Sequence, residues 1–452
     1  MIATDVIEEV RRLVDAVSLI GARVALRKSG ASYVGCCPFH EEREGSFRVY
    51  PDEKRFVCYG CGARGDVFEF FQLLDGKSFP EVVRELAATV HVTIPAAAPG
   101  SAGEKRAGGE RVTLLAACEA ATRHWERRLW GPQGEPARKY LADRGIKEEV
   151  SRAFRLGYAL PDWHDLHGAL GQQHVSAAVQ HAAGLLAAKE EPGKGPHYYD
   201  RFRERIMFPI LDAGGRVVGF GGRAIGGEVG AKYLNTPETA LFKKARVLYG
   251  IREARHAIRR TGKAILVEGY FDVLALHQAR IDVAVAACGT TLTREQVQLL
   301  VGSGCLDLTL LFDGDDAGAR APARAAPALL PAGLSTTAVR IPRGVETKSD
   351  PDALVQRSGP AGVERLLSGA LPLTEYLIED AIRTHAGGLG PQAPVEHKLR
   401  AVRELTPFVL AAPDGLARST FEKAIARRLD LDIGPLRLEV QRAERRAAAS
   451  NQ

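Results

Sequence analysis

No apolar run in this sequence is long enough to cross a membrane as a helix, and residues of several kinds are scarce. The 452 residues include seven cysteines, three tryptophans and two methionines. The first residues follow an amphipathic helical pattern instead of the apolar pattern of a signal peptide, so we expect a cytoplasmic protein without a membrane partner. Seven cysteines, three of them isolated in apolar segments, are typical of core residues in a reducing compartment and not of a disulfide framework.

Length and charge distribution indicate several domains and an anionic partner. A chain of 452 residues with 45% hydrophobic residues is expected to form about three domains. The net charge is +6, but residues 201–260 alone carry thirteen Lys and Arg against five Asp and Glu. Residues 262–352 carry eight basic residues against eleven acidic ones. A basic segment beside an acidic one favours a protein that holds a polyanion with one surface and metal cations with another.

Two close pairs of metal-binding residue types form the most specific pattern. Cys37 and His40 make a Cys-x2-His pair, and Cys58 and Cys61 make a Cys-x2-Cys pair. Zinc prefers four tetrahedral nitrogen and sulfur ligands, and this closed set leaves no position for catalysis, so we predict one structural zinc ion. Cys36 is an alternative to Cys37, which we prefer because it gives the tighter loop to His40.

The residues between the two pairs predict a hairpin, and those after them predict a helix. Residues 46–58 alternate apolar and polar side chains around a turn. Asp66 is a candidate N-cap with Glu69 as its capping-box partner. Aromatic and basic residues alternate here, a mixture that stacks bases and neutralises phosphates of single-stranded nucleic acid. The aromatic residues are Phe47, Tyr50, Phe56 and Tyr59, and the basic ones are Arg48, Lys54 and Arg55. The alternative is that half of these aromatic residues form the core.

Carboxylates recur where buried strands end. Glu268 follows the apolar strand 263–267, and Asp313 and Asp315 follow another at 307–312. Asp350 and Asp352 come after a third strand that begins at 337. An open α/β sheet places its chemistry at this edge, and clustered carboxylates there suit Mg²⁺ or Mn²⁺ ions that act in phosphoryl transfer. A lone Asp-Gly-Asp is more often a solvated turn, so the prediction depends on the repetition.

The same segments resemble a known family. Residues 267–273, 287–290, 312–318 and 350–352 resemble the Toprim module of bacterial primases, topoisomerases and some nucleases. The two metal-binding pairs resemble the primase zinc ribbon, and residues 199–209, 219–223 and 232–250 resemble the polymerase core of DnaG-type DNA primases. The resemblance implies a multidomain α/β protein. Its implied parts are a zinc-ribbon domain (1–92), a flexible linker (93–110), an α+β basic part of the polymerase core (111–261), a Toprim sheet domain (262–370) and a helical subdomain (371–452).

The resemblance also implies an activity and residue roles. Such primases join a primer 3′-hydroxyl to an NTP on a single-stranded DNA template and so make a short RNA primer for replication. Glu268, Asp313 and Asp315 would hold two or more Mg²⁺ or Mn²⁺ ions, with Asp272, Asp350 and Asp352 completing the acidic site. Template, primer and NTP phosphates would meet a basic groove of Arg144, Arg201, Arg203, Arg223, Lys232, Asn235 and Lys244.

Other expectations concern the end of the sequence and rival functions. Residues 373–452 predict helices, among them 396–410 and 416–429, and the family's helicase-binding domain is not recognisable, so a replicative helicase stays an open partner. We expect a monomer, and the sequence contains no Gly-x4-Gly-Lys-Ser/Thr loop that would support a fused helicase motor. The rivals are a Toprim nuclease or topoisomerase using the same carboxylates, and a non-catalytic zinc-ribbon protein that binds DNA.

Overall fold

The computed structural model describes residues 4–40, 42, 45–75, 79–90, 92, 102–191, 195–226, 231–289, 291–341 and 350–450. The chain divides into two compact units, Met1–Val112 and Thr113–Gln452. In the part of the chain that the structure describes, no helix combines the length and the apolar character needed to cross a membrane.

The first unit is built on a five-stranded antiparallel sheet whose strands follow chain order. Its elements are α1 (Thr4–Leu13), α2 (Ala16–Gly21), β1 (Arg27–Ser29), β2 (Ser32–Gly35), β3 (Phe47–Tyr50), β4 (Arg55–Cys58), β5 (Arg64–Asp66), α3 (Val67–Asp75) and α4 (Phe79–Thr89). The antiparallel pair β3 and β4 confirms the predicted hairpin. Asp66 accepts a hydrogen bond from the Glu69 N–H at 3.0 Å, which confirms it as the cap of α3.

The aromatic residues of the hairpin are divided between the core and the surface. Phe47 and Phe56 are fully buried, with their rings stacked 5.3 Å apart. Tyr59 is 67% exposed, and its hydroxyl lies 2.9 Å from that of the half-buried Tyr50. Two of the four aromatic residues, Phe47 and Phe56, therefore form part of the core, as the alternative interpretation expected.

The long helix α5 (Ala102–Trp130) begins earlier than the sequence predicts. We expected a flexible linker over 93–110, but residues 102–110 are helical. Glu104, Lys105, Arg106 and Ala107 are strong helix formers, and a helix that is already nucleated extends at low cost through the two glycines that follow them. The rest of the predicted linker, 93–101, lies outside the described residues.

The first half of the second unit contains a four-stranded antiparallel sheet in the order β11-β10-β9-β6 and a two-stranded ribbon of β7 and β8. Its elements are α6 (Glu135–Asp143), α7 (Glu148–Ala153), β6 (Gly157–Ala159), α8 (Asp165–Gln172), α9 (Ala177–Ala182), β7 (Leu186–Glu191), β8 (Gly195–Asp200), β9 (Arg205–Leu211), β10 (Val217–Ala224), β11 (Tyr233–Asn235) and α10 (Ile251–Thr261).

A second sheet follows in the order β13-β12-β14-β15-β16, with all strands parallel except β16. Its elements are β12 (Lys263–Val267), α11 (Tyr270–Gln278), β13 (Ala284–Ala286), α12 (Arg294–Gly302), β14 (Asp307–Phe312), α13 (Asp316–Ala319), α14 (Ala321–Leu329), β15 (Ser335–Arg340), α15 (Pro351–Ser368) and β16 (Leu371–Pro372). The chain moves from β12 to β13 on one side and then to β14 on the other. The crevice between β12 and β14 is thus a topological switch point, where α/β sheets bind ligands.

The parallel sheet is buried on both faces. Alternate residues of β12 enter different cores: Ile265 and Val267 pack with the four-stranded sheet, whereas Ala264 and Leu266 pack with the C-terminal helices. Those helices are α16 (Leu373–Ala386), α17 (Val395–Ala411), α18 (Leu416–Leu429) and α19 (Ile433–Ser450), which confirm the helices predicted over 396–410 and 416–429. The isolated cysteines Cys118, Cys288 and Cys305 are all buried, as predicted.

Candidate functional site

The first candidate site is the cluster of Cys37, His40, Cys58 and Cys61. Their possible ligand atoms all lie within 4.8 Å of one another. The Sγ atoms of Cys37 and Cys61 are 3.7 Å apart, and Cys58 Sγ is 3.8 Å from His40 Nδ1. Zinc–sulfur bonds of about 2.3 Å in a tetrahedron place two sulfurs about 3.8 Å apart, so the donor atoms fit a tetrahedral metal ion. Cys36 is exposed and outside this cluster.

Glu42, which sequence reasoning missed, holds the cluster together. Its Oε1 accepts hydrogen bonds from the N–H groups of Cys37 at 2.6 Å and Ser46 at 3.0 Å. Its Oε2 lies 3.1 Å from His40 Nε2, the ring nitrogen opposite the one that faces Cys58. A carboxylate on the outer nitrogen of a ligating histidine fixes the ring and raises its basicity. The sequence signal that could have identified this role is the position of Glu42, a carboxylate two residues after the candidate ligand His40.

The second candidate site is a cavity of about 500 Å³ in the second unit, called here the catalytic cavity after the acids that the sequence predicts to be catalytic. All six predicted acids line it: Glu268, Asp272, Asp313, Asp315, Asp350 and Asp352. Glu268 and Asp313 each follow directly after a parallel strand, β12 and β14. Asp315 caps α13, and Asp350 caps α15 by accepting the Ala353 N–H at 2.8 Å. The sheet therefore delivers the acids to one edge, at its switch point.

Asp313 is the acid whose surroundings most favour a cation. Burial, together with the nearby charges of Glu268, Asp350 and Asp315, raises the pKa of its carboxyl to about 7. Its Oδ1 is buried and has no hydrogen-bond partner among the described residues. Burial, with the charge of Asp315, also raises the pKa of Glu268. Such a buried, unsatisfied oxygen among other carboxylates fits a divalent cation.

Asp272 differs from Asp313 because both of its oxygens have main-chain partners. Oδ2 accepts the Gly269 N–H at 2.9 Å, and Oδ1 accepts the Asp352 N–H at 3.3 Å. Burial and the charges of Asp313 and Asp350 raise the pKa of Asp272 well above its usual value. Asp272 thereby joins the turn after β12 to the first turn of α15.

Four predicted phosphate-binding residues line the same cavity: Arg144, Arg223, Lys232 and Asn235. The Arg144 guanidinium lies 4.4 Å from the centre of the Phe271 ring and 3.3 Å from Asp352 Oδ2. Asn235 is held on both sides, since Nδ2 donates to the Cys288 carbonyl at 3.1 Å and Oδ1 accepts from the Tyr270 hydroxyl at 2.8 Å.

Three other residues that the sequence predicts to bind phosphates do not line the catalytic cavity, as far as the structure describes it. They are Arg201, Arg203 and Lys244. Arg203 stacks 3.8 Å from the ring centre of the exposed Trp163. Burial lowers the pKa of Arg201, and the Lys244 N–H donates to Glu238 at 2.9 Å. Four of the seven residues predicted to form the basic groove thus share a cavity with the acids, and three do not.

Glycines allow the elements of the cavity to approach closely. A Cβ atom at Gly221 of β10 would lie 2.4 Å from the Tyr270 ring of α11. One at Gly318 would lie 2.2 Å from the Asp313 carbonyl oxygen. Both distances exclude a side chain, which explains the glycine at 221, within the Gly-Phe-Gly-Gly segment, and the glycine at 318, three residues after the Asp-Gly-Asp segment.

Three family models match the chain in order. They are a CHC2 zinc finger over residues 2–101, the N-terminal domain of the DNA primase catalytic core over 124–255, and a Toprim-like model over 265–355.

Curated relatives with the name DNA primase match most of the chain. That of Myxococcus xanthus is 40% identical over 421 residues, which cover 93% of this chain and 66% of the relative. That of Halalkalibacterium halodurans is 34% identical over 452 residues, which cover all of this chain and 73% of the relative. That of Escherichia coli K12 is 38% identical over 80% of this chain and 61% of its own. The chain thus spans about two thirds of the length of these relatives.

Solved primase structures share the fold. The zinc-binding and RNA polymerase domains of the Aquifex aeolicus primase cover 95% of this chain and 98% of their own with a TM-score of 0.60 and 32% identity. A DnaG primase catalytic domain bound to single-stranded DNA covers 73% of this chain and 99% of its own, with a TM-score of 0.63 and 32% identity.

Proposed function

The chain belongs to the DnaG family of bacterial DNA primases, and we propose that it synthesises short RNA primers from NTPs on a single-stranded DNA template. The observation that carries this proposal is the catalytic cavity, where six carboxylates meet Arg144, Arg223 and Lys232. Carboxylates suit metal ions, and the basic groups suit the phosphates of template, primer and nucleotide.

The metal sites divide between the two units. Cys37, His40, Cys58 and Cys61 would hold one structural zinc ion. Glu268, Asp313 and Asp315 would hold two or more Mg²⁺ or Mn²⁺ ions, with Asp272, Asp350 and Asp352 as supporting acids. Such ions stabilise the attacking and leaving oxygens of a phosphoryl transfer.

The reaction joins two nucleotides. The oxygen of the primer 3′-hydroxyl forms a bond to the α-phosphorus of the NTP, and the hydroxyl proton passes to water. The bond between that phosphorus and the oxygen bridging to the β-phosphate breaks, and pyrophosphate leaves with the electron pair. Arg223 and Lys232 bind phosphates in the cavity, while Phe271 and Asp352 hold Arg144 in place for the same purpose.

The remaining predicted groups bind the template outside the cavity or support its walls. Arg203, stacked on the exposed Trp163, and Arg201 beside it suit a template strand. Lys244 adds positive charge near Cys288, and Asn235 positions Tyr270. Tyr50 and Tyr59 of the zinc unit are available to stack template bases. The proposed setting is the cytoplasm, with the protein acting as a monomer and a replicative helicase as a further partner to test.

The experiment is primer synthesis by the full chain on single-stranded DNA with the four NTPs and Mg²⁺ or Mn²⁺. We expect short RNA whose sequence is complementary to the template, and we expect Asp313→Ala to abolish it. Asp307→Ala is the matched control, because Asp307 is an exposed acid at the opposite end of the same strand. DNA cleavage without NTPs would instead indicate a Toprim nuclease, and DNA binding with no product would indicate a non-catalytic protein.

A further inference from the structure

The turn between α6 and α7 brings Arg144 to the catalytic cavity. Its sequence sets part of its shape, because Gly145 has a φ of +71° and the Ile146 N–H donates to the Leu141 carbonyl at 2.9 Å. The carbonyls of Arg144 and Gly145 and the N–H of Lys147 find their partners outside the turn. Main-chain groups at the ends of helices need such partners, so the groups that bind them help to decide where the turn lies.

Gln278, the last residue of α11, supplies two of these partners. Its Oε1 accepts the Lys147 N–H at 2.8 Å, and its Nε2 donates to the Gly145 carbonyl at 2.8 Å. One side-chain amide therefore binds a main-chain donor and a main-chain acceptor of the same turn. Because α11 follows directly on the turn after Glu268, these hydrogen bonds fix the turn that carries Arg144 relative to the acids of the parallel sheet.

Gln356 of α15 binds the same turn from another helix. Its Nε2 donates to the Arg144 carbonyl at 2.9 Å and to Asp352 Oδ1, one turn earlier in α15, at 2.9 Å. The other carboxylate oxygen of Asp352 lies 3.3 Å from the Arg144 guanidinium. Gln356 thus holds both the main chain of Arg144 and the carboxylate that the Arg144 side chain meets.

Part of the Arg144 guanidinium is left for a ligand. Its Nε donates to the Tyr140 hydroxyl at 3.1 Å and its Nη1 donates to Asp352 at 3.3 Å. Its Nη2 has no hydrogen-bond partner among the residues that the structure describes. A planar guanidinium binds phosphate through hydrogen bonds of defined direction, so a small shift of the turn would weaken binding without removing the charge.

We propose that Gln278 and Gln356 are positioning residues, which hold Arg144 in the orientation that binds a phosphate of the nucleotide or of the template. This inference rests on the proposed primase function. Neither glutamine is among the described residues that line the catalytic cavity, so both act through Arg144. The competing explanation is that the two side chains only join helices and stabilise the fold. A purely structural contribution would persist when the Arg144 side chain is removed, whereas a positioning contribution would vanish.

The test is a double-mutant cycle on the full chain. Wild type, Gln278→Ala, Gln356→Ala and Arg144→Ala are compared with the variants that combine each glutamine change with Arg144→Ala. Calorimetric titration with ATP and Mn²⁺ gives the nucleotide affinity, and fluorescence anisotropy with labelled single-stranded DNA gives the template affinity. Each glutamine change alone should weaken the binding of whichever ligand Arg144→Ala affects by roughly 3- to 10-fold, the effect of one or two hydrogen bonds. In the Arg144→Ala background the same change should alter that affinity by less than about twofold.

Gln173→Ala is the matched control. Gln173 is exposed, as Gln356 is, and its side chain also donates to a main-chain carbonyl, that of Ala169. It belongs to α8 and is not among the described residues that line the cavity, so its change should leave both affinities as they are. Because Gln356 is exposed, Gln356→Ala is expected to fold, and it decides alone if Gln278→Ala does not fold.

Three outcomes would overturn the proposal. The first is wild-type affinity for both ligands in the folded glutamine variants. The second is an undiminished effect of the glutamine changes in the Arg144→Ala background, which would show a structural role. The third is wild-type affinity for both ligands in Arg144→Ala itself. The primase function fails separately, because these measurements need no synthesis: a lack of RNA product with the expected cycle would refute the enzyme activity and leave the positioning role.

Discussion

At the scale of single residues, chemically identical carboxylates in the catalytic cavity have different surroundings. Asp313 has a buried oxygen without a hydrogen-bond partner among the described residues, whereas both oxygens of Asp272 accept main-chain N–H groups. The sequence placed Asp313 at the sheet edge by a local pattern, an acid at the end of a buried strand, and it placed Asp272 in the same acidic site by family resemblance. It could not separate their surroundings, since the Asp272 partner at Asp352 is 80 residues away in the chain.

Asp313→Asn is expected to make the metal-free protein more stable at alkaline pH. The pKa of Asp313 rises from 3.8 to about 7 on folding. A carboxyl with a raised pKa binds its proton more tightly in the folded state, so this contribution to stability is complete below about pH 4 and is lost as pH rises through 7. At pH 8 the variant should melt higher than the wild type by roughly 2 °C or more, and the difference should shrink at pH 5.

Thermal denaturation followed by circular dichroism, with a chelator present, measures this effect. Millimolar Mg²⁺ at pH 8 should raise the melting temperature of the wild type more than that of Asp313→Asn, because the cation compensates the buried charge that the variant lacks. A lower melting temperature for the variant at pH 8 in chelator would contradict the expected cost of that charge.

At the scale of elements, close approach of β10 to α11 shapes the catalytic cavity. Tyr270, the first residue of α11, lies against Gly221 and donates its hydroxyl hydrogen bond to Asn235 of β11. Gly221→Ala forces a Cβ into the ring and is expected to destabilise the fold by about 1–3 kcal/mol.

Urea denaturation measures the free energy of unfolding of Gly221→Ala. The same substitution at a glycine that has open space around it serves as the control. A Cβ at Gly168, inside α8, would meet no atom within 4 Å. Gly168→Ala should therefore stabilise the protein by about 0.5–1 kcal/mol, because alanine is the better helix former. A destabilisation of the same size in both variants would show that the Tyr270 contact is not the cause.

Elements were predictable from sequence where local patterns decide them. The hairpin β3–β4 and strands β12 and β14 are apolar or alternating runs bounded by turn residues, and the structure has them where expected. Contacts between elements were not predictable in the same way. Arg203 belongs to the predicted basic set, but it stacks on Trp163 instead of lining the catalytic cavity, because no local pattern specifies tertiary distance. The start of α5 was predicted too late in the chain because its first residues are rich in glycine and alanine. The neighbouring strong helix formers outweigh those glycines.

At the scale of the whole molecule, the two candidate metal sites have opposite character. The cluster in the first unit offers four ligands and no open position. The catalytic cavity in the second unit offers acids beside basic groups in a space of about 500 Å³. The proposed function accordingly assigns template recognition to the first unit and polymerisation to the second.

Changes at the cysteine cluster are expected to impair the start of primers more than their extension. Cys58→Ser removes a ligand and should lower de novo initiation by at least about tenfold, while extension of an annealed RNA primer stays nearly unchanged. Glu42→Gln keeps every ligand but weakens the contact with His40, so zinc affinity should fall roughly 10- to 100-fold.

Zinc competition with a chromophoric chelator gives the affinity, and parallel assays on bare template and on annealed primer give the two activities. The initiation loss of Glu42→Gln should recover when zinc is added in excess. Cys36→Ser is the control, since Cys36 is exposed beside the cluster and outside it. Equal loss of initiation and extension in Cys58→Ser would argue against a role in template selection.

The two hydrogen bonds accepted by Asp272 have a consequence for ligand affinity. They connect the turn after Glu268 to the helix that begins beside Asp350, so main-chain geometry already sets the spacing of these acids. If the catalytic cavity binds a cation or a nucleotide as proposed, binding requires little ordering of the backbone, and the conformational entropy lost on binding is small. The catalytic cavity is thus preorganised. Differences in affinity among ligands should reflect the charge and shape of each ligand and not a free-energy cost of ordering the binding residues.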